Sequence, residues 1–180
     1  MVPVRRDPAG GRSPSGGLLA VHAHPDDETL ATGGLLATWA GAGRPVTVVT
    51  CTRGELGEVI GATLAHLEGD GPALAAHREG ELAAALAALG VADHVFLDTV
   101  ADGDLAPGRF SDSGMAWTGV GAAGRVDDLP DGAFVAASLD DAARRLARVL
   151  RSRRPDVVRL RKVILDQSER GRVFAKAKRA

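Results

Sequence analysis

The feature that most limits what this chain can fold into is a short apolar run, Leu18 to Ala23 (LLAVHA), that stops at His24-Pro25-Asp26-Asp27-Glu28. A run this brief and this continuous reads as a strand covered on both faces, the habit of a parallel sheet. Alternating signals follow it. Glu28 to Trp39 fits a helix with Leu30, Leu35, Leu36 and Trp39 on its apolar side, and Gly41 and Gly43 are stop signals. Pro45 to Thr50 (PVTVVT) is a β-branched strand. Leu74 to Leu89 is a second helix with Gly90 at its end, and Asp93 to Leu97 (DHVFL) is a third strand. Ser138 is an N-cap candidate for a third helix, with Asp140 and Asp141 in its first turn and arginines from Arg148 to Arg154 in its last turns. Pro155 stops that helix and Asp156-Val157-Val158 opens a fourth strand. The order β-α-β-α-β-α-β predicts an α/β, Rossmann-like, doubly wound and mainly parallel sheet, which this chain follows only as far as its fourth strand. Residues 98–137 lack periodicity and are rich in Gly and Asp, so they read as a site-shaping or poorly ordered excursion.

A chain of 180 residues is long enough for one domain with a real core, and 45% hydrophobic with 25% charged residues argues against wholesale disorder. The longest apolar stretch, Leu82 to Ala92, is too short to span a bilayer. The formal net charge of -1 gives no reason to expect nucleic acid or an anionic membrane as partner. One cysteine, Cys51, forms no internal disulfide, and residues 1–17 carry Arg5 and Arg6 but no apolar signal-peptide core, so a disordered leader on a cytoplasmic protein is expected. The near-neutral charge hides a break. Lys162, Lys176 and Lys178 are the only lysines and Gln167 the only glutamine, while residues 159–180 hold eight basic and two acidic side chains. The domain reading is therefore a leader (1–17), an acidic α/β body (18–158) and a divergent basic tail (159–180).

In a doubly wound sheet, ligands bind beyond the carboxyl ends of the strands at the switch point. His24, Asp26 and Asp27 stand there, directly after the first strand. Imidazole nitrogen and carboxylate oxygen suit a divalent metal such as Zn²⁺, and a neighbouring carboxylate could serve as general base. The competing reading of the same residues is a turn with a helix N-cap. His22 is either a partner behind such a site or a satisfied core histidine. His66, His77 and His94 have no metal-ligand spacing to one another, Cys51 reads as a buried small residue, and no dinucleotide or phosphate-loop motif is present.

Ala20–Gly34 (AVHAHPDDETLATGG), Val46–Gly61 (VTVVTCTRGELGEVIG), His77–Val91 (HREGELAAALAALGV) and Phe110–Thr118 (FSDSGMAWT) together resemble the LmbE-type, GlcNAc-PI de-N-acetylase-like family of zinc N-deacetylases, and most of all its mycothiol-pathway branch. The resemblance implies that His24 and Asp27 are the first two ligands of one Zn²⁺ and Asp26 the general base. It also implies that Arg78, Asp112 and Glu58 face the amino-sugar inositol substrate. The implied reaction is hydrolysis of the acetamide of N-acetylglucosaminyl-inositol, with a mycothiol-conjugate amidase as the competing substrate class.

That family's third ligand is a histidine in a Gly-His-x-Asp-His-like segment after the fourth strand. This chain has Arg154-Pro155-Asp156-Val157-Val158 there, then Arg159-Leu160-Arg161-Lys162, and no histidine after His94. The expectations that follow are a chain shortened or shifted in reading frame after Val158, with weak zinc binding and little turnover unless Asp98 or a second chain completes the site. An inactive sugar-binding module and a basic tail that binds an acidic partner are the alternatives from other classes. Oligomeric state is open.

Overall fold

A computed structural model of the chain describes residues 16–103, 108, 110–112, 115–119, 122–125, 129 and 131–160. Nearly all of the expected leader (1–15) and of the expected tail (161–180) lies outside the described residues.

Four strands form one parallel sheet in the order β3-β2-β1-β6: β1 Leu18–His22, β2 Val46–Thr50, β3 Asp93–Phe96 and β6 Val157–Leu160. Every residue of β1 and β2 is buried, as continuous apolar runs require in the middle of a covered sheet, whereas β3 and β6 are half-buried to exposed. The chain crosses from one side of β1 to the other between β3 and β6, which places the switch point at the carboxyl end of β1. The pairing of β6 with β1 runs through Ala20↔Arg159 and Val21↔Leu160. Arg159 and Leu160 thus belong to the sheet, two residues beyond the compositional break at Val158. At the other boundary Gly16 and Gly17 are tied down, Gly16 N–H donating to Arg154 O at 2.9 Å and Gly17 N–H to Asp156 Oδ2 at 2.9 Å.

Alternation along β1 divides the core. Leu18 and Ala20 face Leu36 of α1 (Asp27–Gly41) and Leu82 and Leu86 of α2 (Gly71–Leu89). Leu19 and Val21 face Ala142, Ala143, Leu146 and Val149 of α3 (Leu139–Arg153). Helices on both faces make the sheet doubly wound in the sense the element order predicted.

Local signals explain the helix ends. Asp70 caps α2 by accepting the Ala73 N–H at 3.0 Å, Pro72 lies in the first turn, and Gly90 closes the helix in the left-handed region at φ 73°. The helix therefore begins at Gly71, before the first position of its apolar stripe. Ser138 caps α3 through its Oγ and the Asp141 N–H at 3.4 Å. The long excursion after β3 contains structure that periodicity did not reveal: an antiparallel hairpin of β4 (Met115–Gly119) and β5 (Ala122–Arg125), with a register irregularity between Trp117 and Gly119. Two strands of five and four residues, MAWTG and AAGR, are too short and too rich in Gly and Ala to give a clear alternating signal.

Candidate metal and sugar site

The chain leaves β1 at His22 and turns within four residues into α1. His22 is fully buried, with Nε2 3.1 Å from Thr32 Oγ1. Because that hydroxyl donates to Glu28 O at 2.9 Å, Nε2 is the donor toward it. His22 is a core histidine that ties the strand to α1.

Asp26 sits at φ 97° and ψ -36°, one of two non-glycine residues among those described with positive φ. That conformation costs an L-residue on the order of 1–3 kcal/mol and persists only when its surroundings hold it. Asp26 O accepts the Thr29 and Leu30 N–H groups at 3.0 and 2.9 Å, and the Asp26 N–H donates to Glu28 Oε2 at 3.0 Å. The kink sends neighbouring side chains different ways. Asp27 is nearly buried and Asp26 is open, its side chain 55% exposed.

His24 Nδ1 and Asp27 Oδ2 are 3.9 Å apart, and the His24 N–H donates to the same oxygen at 3.4 Å. Two ligands of a tetrahedral ion at ordinary zinc distances lie about 3.3 Å apart, so a small side-chain adjustment brings both onto one cation. The donors fit in type and spacing but not in number. Among the described residues no group of three His, Cys, Asp or Glu side chains could hold a metal ion. Asp98 does not supply the third ligand: it is fully buried at the start of the excursion, where it pairs with Arg53 and accepts the Phe110 N–H at 2.9 Å.

Arg78 reaches over from α2. Its guanidinium donates to Asp26 Oδ2 at 2.9 Å, to Pro25 O at 3.0 Å and to Gly54 O at 3.0 Å, so it bridges the turns after β1 and β2. Gly54, at φ +68°, and Gly57 form its bed: a Cβ at either position would fall within 2.4 Å of Arg78 Nη1. A cleft of about 400 Å³ opens beside it, with Asp26, Thr29, Leu30 and Glu81 in its wall.

The other two expected sugar contacts lie elsewhere. Asp112 is buried beneath the turn after β2, accepting the Leu56 N–H at 3.3 Å, while its backbone carbonyl accepts the Phe134 N–H at 2.7 Å. Glu58 is exposed and lines a separate cleft of about 330 Å³ with Glu55, Leu56 and Glu68. The two clefts share no lining residue. His24, Asp26, Asp27 and Arg78 are brought together around the turn after β1, and Glu58 lines a different cleft from Asp26 and Arg78.

Residue-by-residue reading overlooked Arg53. It is 6% exposed, paired with Asp98, 3.1 Å from Glu79 and stacked 4.0 Å from the Phe96 ring centre. An arginine three residues after a strand of buried β-branched residues, behind Cys51 and Thr52, was its signal. Nearby, burial and then the Arg53 charge lower the His94 pKa below its ordinary value of 6.5, while Nε2 pairs with Thr50 Oγ1 at 3.0 Å. Cys51 is buried, as a small core residue would be.

The GlcNAc-PI de-N-acetylase (PIG-L) family model matches residues 19–164. The chain belongs to that family. It is 51% identical over 141 residues to a 1D-myo-inositol 2-acetamido-2-deoxy-alpha-D-glucopyranoside deacetylase of Kineococcus radiotolerans, covering 78% of this chain and 37% of that protein. It is 46% identical over 142 residues to the protein of the same name from a Nocardioides species, covering 78% and 45%. The chain therefore spans less than half the length of the curated relatives it matches. Among solved structures, a conserved protein from Thermus thermophilus shares the fold with TM-score 0.52 and 26% identity, over 89% of this chain and 54% of that one.

Proposed function

We propose that this family member contributes the turn His24–Asp27 to a metal-dependent N-deacetylase site for the acetamide of N-acetylglucosaminyl-inositol, and that Zn²⁺ is the metal. The observation that carries the reading is the pair His24 Nδ1 and Asp27 Oδ2, 3.9 Å apart at the switch point, with the open carboxylate of Asp26 beside it. The names of the relatives supply the substrate class.

A cation held by His24 and Asp27 supplies Lewis acidity toward the acetamide carbonyl. The remaining roles fall to this chain's own side chains. The Asp26 carboxylate is the acceptor for the proton of the attacking water, and Arg78, bonded to its Oδ2 and clamped to Pro25 O and Gly54 O, keeps that carboxylate in place. Arg78 presents its remaining donor capacity to sugar hydroxyls from the wall of the cleft. Asp112 holds the turn after β2 through the Leu56 N–H, and Glu58 contacts a more distant part of the substrate from the second cleft. The third ligand has to come from outside the described residues.

Isothermal titration of the 180-residue chain with Zn²⁺, together with acetate release from N-acetylglucosaminyl-inositol, tests the reading. Weak zinc binding that disappears in His24→Ala, with little turnover, is expected. Zinc binding that survives both His24→Ala and Asp27→Ala would refute the ligand assignment. Saturable sugar binding without zinc, lost in Arg78→Ala, would favour a sugar-binding module, for which the Arg78 cleft is the supporting observation.

A further inference from the structure

We propose that Glu28 is a positioning residue whose carboxylate holds the His24–Asp27 turn in its metal-ready shape; this deepens the metal-site reading above and rests on it. Glu28 is fully buried, yet no cation is hydrogen-bonded to it or in ion-pair contact with it among the described residues. Both of its oxygens are used locally: Oε2 accepts the Asp26 N–H at 3.0 Å and Oε1 accepts the Thr29 hydroxyl at 2.8 Å. A buried carboxylate is costly unless hydrogen-bonded, and packing alone would be better met by an apolar side chain. Its position in the first turn of α1 offsets part of the cost through the helix dipole.

The residue it grips is the strained one. At φ 97° the Asp26 peptide directs its N–H inward, away from any strand or helix partner, and Glu28 Oε2 is the acceptor that meets it. Asp26 O is satisfied from the other side by the Thr29 and Leu30 N–H groups. If that N–H lost its acceptor, the turn would relax toward negative φ, and His24 and Asp27, which flank Asp26, would no longer converge. Arg78 clamps the same residue from outside by its side chain, so Glu28 works from the core and Arg78 from solvent.

The test compares Glu28→Ala, Glu28→Gln and Thr29→Val in the full chain with two readouts. The first, amide hydrogen exchange at Asp26 referred to the Val48 amide in the core, needs no metal. The second is titration with Co²⁺ followed by its visible d–d absorption. Glu28→Ala is expected to lose about tenfold in Asp26 protection relative to Val48 and about tenfold or more in Co²⁺ affinity. Glu28→Gln keeps an oxygen for the Asp26 N–H and stays within about threefold of wild type in both. Thr29→Val, which frees one side of the carboxylate, is the milder variant that decides if Glu28→Ala does not fold; it is expected to lose about threefold in protection. Asp26 protection unchanged in the variants, or Glu28→Gln falling as far as Glu28→Ala, overturns the proposal. A wild-type chain that takes up no Co²⁺ overturns the metal reading instead, and the exchange readout still decides the role of Glu28.

Discussion

Two acidic turns leave the carboxyl edge of the same sheet, and they are built in opposite ways. After β1, Asp26 is held open to solvent in a strained backbone conformation. At the end of β3, Asp98 is fully buried, paired with Arg53 and tied to the Phe110 N–H. The first carboxylate is held at the surface at some cost to stability. The second is enclosed, and its ion pair joins the turns after β2 and β3. Both carboxylates meet an arginine, Asp26 meeting Arg78 and Asp98 meeting Arg53, so position and pairing do not separate them; what differs is that Asp26 keeps more than half of its side chain in solvent and Asp98 keeps none.

The contrast breaks most directly at the buried pair. Arg53→Ala leaves the buried Asp98 carboxylate without its ion-pair partner, and a loss of about 3–5 kcal/mol in urea unfolding is expected. A loss under about 1 kcal/mol, the size of an exposed ion pair, would mean that Asp98 is no structural anchor. Leu146→Ala, on the α3 side of the core, is expected to cost about 3 kcal/mol and to leave the His24–Asp27 turn unchanged in amide exchange. Ser138→Ala, which removes the α3 cap, should cost about 1 kcal/mol.

At the open turn the stability effect should nearly vanish. Asp26→Gly relieves about 1 kcal/mol of backbone strain and forfeits roughly 0.5 kcal/mol of a largely exposed ion pair with Arg78, so its unfolding midpoint should match or exceed that of wild type. A marked drop would show Asp26 to be structural, like Asp98.

The smallest effect is a pH dependence. His94 is less readily protonated in the fold than its ordinary value of 6.5, because of burial and then Arg53. Its contribution is fully present above the unfolded value and is lost as pH falls from 6.5 through the lower folded value. His94→Gln should therefore flatten the decline in stability as pH falls below 6.5, as measured by denaturant midpoints. Asp93 adds a separate decline at lower pH. Burial raises its pKa, but hydrogen bonds from Arg153 and Thr47 outweigh that and hold it below 3.8, so its contribution fades only as pH falls through that lower value.

How much of this was legible in the sequence depends on the range of the interaction. The strands β1 and β2 are continuous apolar or β-branched runs, and the ends of α2 and α3 carry Gly90 and Ser138, whose effects act within a turn. The His-Pro-Asp-Asp motif was visible for the same reason, since its residues are neighbours in the chain. The β4–β5 hairpin was not, because strands of five and four residues give too short a pattern, and Glu28 read as an ordinary helix-starting glutamate because burial leaves no local mark.

By itself the sequence determined the alternation of strands and helices and the set of side chains delivered to the end of β1. Only the tertiary structure decided which carboxylates remain open. Arg78 lies 52 residues from Asp26, and Arg53 lies 45 from Asp98, so each pairing depends on the packing of whole elements. Coulombic and hydrogen-bonding partners at such separations are set by where the sheet and helices place them, and no local pattern in the chain encodes that distance.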